Sequence, residues 1–141
     1  QLNMRGSSIY KGRPLFSIFG VGDYTFKPWK VAISGLYKSI EFRTVGPYGG
    51  KPVVFDDTCY FLPCESEESA NIISGILSSE PSINILNACI FWDSKRPVTR
   101  DVLSVIDIVA LARHMGALDA LAKAWPHLPL HKQQTLFDIA I

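Results

Sequence analysis

Pro63 divides this sequence into two periodicities, and no single repeating architecture accommodates both. Before it, short apolar runs alternate with glycine and proline: Leu15 to Phe19, Trp29 to Ile33, Ile40 to Val45, Val53 to Phe55 and Cys59 to Leu62. Runs of this kind, bounded by turn formers, predict strands of an antiparallel, twisted sheet with short connections. Pro47, Gly49 and Gly50 mark its clearest turn. After Pro63 the apolar residues Ala70, Ile73, Ile76 and Leu77 recur at the spacing of one helix face. Ser66 suits an N-cap, and Glu67 and Glu68 fall where the helix dipole favours them, so a helix is predicted over Glu67 to Ser79. Ser82 offers a cap for a second helix, Ile83 to Phe91, although the dense Ile, Leu, Cys and Phe content there equally fits a buried strand. Thr99 predicts a short helix over Arg100 to Ser104, and Ile106 to Ile108 a strand at the sheet edge. The tail reads as helices over Ile108 to Met115, closed by Gly116, over Leu118 to Trp125, stopped by Pro126, and over Leu130 to Ile139. The expected class is α+β: a curved, mainly antiparallel sheet from the N-terminal half, braced by helices from the C-terminal half.

A chain of 141 residues, 48% of them apolar, is long enough to form one domain with a real core. No run approaches the ~20 apolar residues of a membrane-spanning helix, and no signal-type segment stands at the start. The expectation is a soluble, cytoplasmic protein with no membrane partner. Gln1, in place of an initiator methionine, fits a piece of a longer chain and fits processing equally well. The net charge of +1 argues against a generic nucleic-acid binder, but its distribution is uneven. Residues 1–51 hold eight basic and two acidic groups, whereas residues 52–141 hold six basic and eleven acidic ones. A basic third joined to an acidic remainder suits a one-sided polyanion-binding surface, because phosphate contacts need local rather than global positive potential. The alternative scatters these charges over several faces.

The stretch FSIFGVGDYTFKPWKVAISGLYK, Phe16 to Lys38, concentrates aromatics, glycines and lysines. Tyr24, Phe26 and Trp29 are interleaved with Lys27 and Lys30, which suits contact with a polyanion and its bases. It equally suits a strand-turn-strand unit whose aromatics are core and whose lysines are solvated. Lys95-Arg96-Pro97 sets two cations in a rigidified loop, able to meet successive phosphates or to pair with Asp93 or Asp101. Other constellations are weaker. Gly20-Val21-Gly22 is followed by Asp23 to Pro28, which do not propose the helix that a nucleotide loop opens. Cys59 and Cys64 have a spacing that zinc sites use, yet Cys89 and the histidines His114, His127 and His131 supply no second half-site. The three cysteines are more simply small apolar residues. Asp56 and Asp57 raise metal-dependent nuclease chemistry, against which stands an ordinary turn-forming role.

Three ordered segments, Phe16 to Lys38, GKPVVFDDTCYFLPC (Gly50 to Cys64) and FWDSKRPVTRDVLSVIDI (Phe91 to Ile108), together resemble the TaqI-like C-terminal specificity domain of adenine-specific DNA methyltransferases. The resemblance implies a target-recognition domain of a modification or restriction-modification enzyme, reading double-stranded DNA. A separate catalytic domain, in the same parent chain or complex, would bind S-adenosylmethionine and extrude and methylate the adenine. This chain has no Asn/Asp-Pro-Pro-aromatic catalytic motif, so it is expected to be non-catalytic and to carry no cofactor of its own. The expected organisation is a lead-in at 1–8, a recognition domain at 9–113 and a helical extension at 114–141 that docks or dimerises. On residue type and position, the expected DNA-binding residues are Arg13, Tyr24, Lys27, Trp29, Lys30 and Lys38, followed by Lys95 and Arg96. Two other functions fit the residues: a protein-interaction or assembly module, and a metal-dependent nuclease built on Asp56 and Asp57.

Overall fold

The computed structural model describes residues 22–128, which form an α+β fold. Its sheet has three antiparallel strands in the order β2-β1-β3: β1 Trp29–Ser34, β2 Arg43–Val45 and β3 Cys59–Cys64. In register, Val31 faces Thr44 on one side and Leu62 on the other. Strand side chains alternate between faces, so Val31, Ile33 and Leu62 enter the main core while Lys30, Ala32 and Phe61 take the opposite face. Pro63 falls inside β3, which among the described residues lies at an edge of the sheet, the place where strands tolerate proline.

Five helices follow: α1 Glu67–Leu77, α2 Glu80–Cys89, α3 Arg100–Leu103, α4 Ile108–His114 and α5 Leu118–Ala124. α1 is the brace. Its Ala70, Ile73, Ile76 and Leu77 are buried, and it packs against all three strands and against α4 and α5. Full burial of an isoleucine or leucine side chain such as Ile73, Ile76 or Leu77 contributes roughly 1.5–3 kcal/mol. Ser66 caps α1 by accepting from the Ser69 amide at 3.1 Å, and Thr99 caps α3 by accepting from Val102 at 3.2 Å. Leu121 and Ala124 of α5 belong to the same core as β1.

Several expected boundaries shift for local reasons. Ile40 to Val45 shortens to β2, with Ile40 and Phe42 packing on the core from outside the strand. Val53 to Phe55 forms no strand; the Phe55 ring instead lies against Phe61, with centroids 5.7 Å apart. The turn before it is tight. Gly49 and Gly50 both have positive φ, 57° and 75°, and let Tyr48 and Lys51 pair across two residues. α2 begins at Glu80, because Ser79 is its N-cap and Pro81 falls in its first turn. Ile106 to Ile108 forms no extended strand: only Asp107 takes a β-bridge position, and it also caps α4, accepting from the Ala110 amide at 3.0 Å, with Ile106 and Ile108 buried on either side of it. The expected strand Leu15 to Phe19 and helix Leu130 to Ile139 lie outside the described residues.

Two serines should respond oppositely to truncation. Ser66→Ala removes a satisfied cap and is expected to cost about 1 kcal/mol. Ser82, fully buried in α2, has a hydroxyl with no partner. Ser82→Ala is therefore expected to leave stability unchanged or raise it by up to about 1 kcal/mol. Urea unfolding of both variants, followed by circular dichroism, measures the two signs.

Candidate nucleic-acid interface

Three chain segments converge beyond the Ser34 end of β1. The Gly35 amide donates to the Thr58 carbonyl at 2.8 Å, and a Cβ at Gly35 would stand only 3.1 Å from both the Thr58 and Val98 carbonyl oxygens. A side chain there would need both carbonyls to give by a few tenths of an ångström, so glycine suits so close an approach. The segments brought together are residues 35–39, the turn at 56–58 and the loop at 92–98. That loop is rooted at both ends, by Trp92 packed on the core and by Val98, which is fully buried. Between them, Ser94 Oγ accepts from the Arg96 amide at 3.3 Å and donates to the Arg96 carbonyl at 3.2 Å.

Lys38 joins the first segment to the third. Its Nζ donates to the carbonyls of Trp92, at 2.6 Å, and of Ser94, at 2.5 Å. Lys38, Lys95 and Arg96 thereby gather in one region, with Lys38 and Lys95 exposed and Arg96 half-buried. Tyr37 and Phe91, which adjoin the joined residues in sequence, are 57% and 71% exposed. Hydrogen bonds from the Thr58 hydroxyl and amide hold the Asp56 carboxyl below the usual range, with a smaller contribution from the Arg96 cation. Asp56 Oδ1 accepts from the Thr58 amide at 2.9 Å and from the Thr58 hydroxyl at 2.5 Å, which is turn chemistry. No group of three His, Cys, Asp or Glu side chains suited to a metal ion occurs among the described residues.

The opposite end of β1 carries the remaining expected residues in a different state. Lys27 is ion-paired with Glu65. Lys30, expected among the DNA-binding residues, is only 1% exposed: its Nζ donates to the Lys27 carbonyl at 2.7 Å and sits 5.7 Å from the Phe61 ring centroid. Strand alternation explains this, because Lys30 shares its face with Ala32 and Phe61. Tyr24 packs on Phe61 with centroids 5.9 Å apart and is 37% exposed. Trp29 packs on the core and over Gly46, where a Cβ would lie 2.5 Å from its ring. Arg13 lies outside the described residues. Lys27 and Lys38 thus stand beyond opposite ends of a six-residue strand, which is itself about 17 Å long at ~3.3 Å per residue. The described cations do not form one patch.

The segment after Gly22 closes as a single 3-10 turn, Asp23–Phe26, in which the Thr25 hydroxyl accepts from the Gly22 amide at 3.2 Å. The Tyr24 ring fills the space over Gly22, 2.7 Å from where a Cβ would be. No helix N-terminus opens here to receive a phosphate. Tyr37 and Phe91 were not among the expected site residues; their signal was an aromatic next to each cationic segment, visible only once the segments are known to meet.

A stretch of 112 residues, 79% of this chain, is 47% identical to the Type II methyltransferase M.NspV of Nostoc sp.. The chain is similar to part of a Type II methyltransferase. It spans 23% of that protein's length. No protein-family model matches the sequence, and no solved structure matches it. No helix among the described residues is long and apolar enough to cross a membrane.

Burial lowers the proton affinity of Lys30 in the folded state from its ordinary value of 10.5. In the pH window just below 10.5 the unfolded chain therefore holds the extra proton, and stability from this group rises with pH through that window. Lys30→Met should lose this rise and be at least as stable at neutral pH, as measured by urea midpoints from neutral to alkaline pH. Comparing the two proteins offsets the opposite trend from Cys64, whose thiol burial pushes up to about 12. For the same reason Cys64 should resist iodoacetamide in the folded protein while exposed Cys89 reacts first, a difference that mass spectrometry of timed samples resolves.

Proposed function

We propose that this chain is the DNA target-recognition part of an adenine-specific Type II methyltransferase, of the TaqI-like specificity type, with the catalytic domain elsewhere in the parent enzyme. The observation that carries this reading is the 47% identity over 112 residues to part of a Type II methyltransferase. The geometry supports it with a cationic loop, Lys95 and Arg96, whose backbone at Trp92 and Ser94 is tied to Lys38 of another segment. In this reading Lys95 meets phosphate and Arg96 reaches a base edge, since an arginine fork suits guanine and a lysine acts as a point charge. Tyr37 and Phe91 supply exposed rings beside the charges. Lys27 and Tyr24 form a secondary contact region at the other end of β1, with Lys27 exchanging Glu65 for phosphate on binding. Lys30 and Trp29 support that region from within.

S-adenosylmethionine belongs, in this proposal, to the parent enzyme's other domain. The Gly20-Val21-Gly22 run does not supply a loop for it at Gly22, the one glycine of the run among the described residues, which is covered by Tyr24 and leads into a four-residue turn. The chain's own role is to bind and orient duplex DNA while the target adenine is extruded elsewhere.

The test is a fluorescence-anisotropy titration on selected and random duplexes at several salt concentrations. Lys95→Ala is expected to weaken binding to all duplexes alike and to flatten the log-affinity against log-salt slope by about one unit. Arg96→Ala is expected to cost about 1–3 kcal/mol on the selected duplex and little on random DNA. Unchanged affinity and slope for both variants on every duplex would remove this reading.

A further inference from the structure

We infer that Lys38 is a positioning residue: it holds the loop that presents Lys95 and Arg96, and it does not itself contact the ligand. This inference deepens the DNA-recognition reading and rests on it for its functional consequence, but its structural part stands separately. The Lys38 ammonium donates to two backbone carbonyls, those of Trp92 and Ser94, which lie 54 and 56 residues away in sequence. Two carbonyls spaced two residues apart converge on one ammonium only if the backbone between them curls around it. The curl fixes the direction in which the next two side chains, Lys95 and Arg96, leave the loop.

Few other bonds hold this curl. Trp92 and Val98 anchor its ends, and inside it the Ser94 amide bonds to the Phe91 carbonyl at 3.1 Å and the Ser94 hydroxyl to Arg96. No helix or strand is present between Cys89 and Arg100 to supply ladder bonds. Charge-assisted hydrogen bonds are stronger than neutral ones, so a neutral side chain at position 38 leaves the central residues with their local bonds alone. Ordering them would then fall to the binding step, at the expense of affinity.

The discriminating variant is Lys38→Met, studied in the full 141-residue chain. Hydrogen exchange of the free protein is expected to speed up at the amides of residues 94–96 by tenfold or more, while the α1 amides keep their protection. Lys38→Arg, which retains cationic donors, should preserve the protection. Duplex binding is measured for Lys38→Met alone and in the Lys95→Ala/Arg96→Ala background. Alone, it should weaken binding at least tenfold; in that background it should have no additional effect, because it acts through the two residues already removed. Unchanged exchange at residues 94–96 overturns the inference, and so does a full additive loss in the double background, which would make Lys38 a direct contact. If the Lys95→Ala/Arg96→Ala protein binds DNA as the parent chain does, the recognition reading fails, and hydrogen exchange still decides whether Lys38 anchors the loop.

Discussion

Burial of β1 on both faces is the constraint on which the described structure depends. Its residues Lys30 to Ile33 are all buried, which requires a partner strand on each edge and a layer on each face. β2 and β3 supply the edges and α1 the inner layer, while Phe61 and Ala32 occupy the other face together with Lys30. α1 can serve all three strands because its N-cap sits directly after β3, so the chain turns from sheet to helix within Glu65 and Ser66. The remaining helices pack on α1 or on one another. Shifting the register of β1 by one residue would exchange Val31 and Ile33 for Lys30 and Ala32 in the core, which ties the position of the whole sheet to one polar side chain.

The same strand separates the charges. Its two ends open onto regions with different electrostatics, one where Lys27 is neutralised by Glu65 and Lys30 is withdrawn, the other where Lys38, Lys95 and Arg96 converge. Arg43, at the edge of the second region, is itself occupied by Glu41 at 2.5 Å. Among the described residues the basic groups of the N-terminal part are thus divided between two regions, and the convergent cations come from both halves of the chain. Such a surface suits a ligand recognised by a few placed contacts better than one held by charge alone.

A match confined to 23% of a Type II methyltransferase places the similarity in one part of a larger protein. The sheet and α1 give that part a rigid frame, and the candidate contacts ride on loops that leave it. Loops on a fixed scaffold are where recognition residues vary without disturbing a core. The Lys38 link gives one of these loops a definite shape in a region without secondary structure.

Local chemistry is legible in the sequence. The caps Ser66 and Thr99, the strand cores around Val31 and Leu62, the Gly49-Gly50 turn and the Ala70, Ile73, Leu77 helix face each follow from interactions within a few residues, and so does the α+β class. Where local signals compete, periodicity misleads: Ile106 to Ile108 alternates like a strand, yet Asp107 caps a helix. The candidate site is legible only in its parts. Which face of β1 Lys30 takes, and whether that face is covered, depends on strand register and on Phe61, thirty-one residues away. The meeting of Lys38 with Trp92 and Ser94 depends on the Gly35, Thr58 and Val98 contact. Residue type alone assigns a lysine its charge; only the tertiary structure decides whether that charge is buried, paired, spent on a backbone or left for a ligand, because each outcome is set by neighbours that the chain brings from far away.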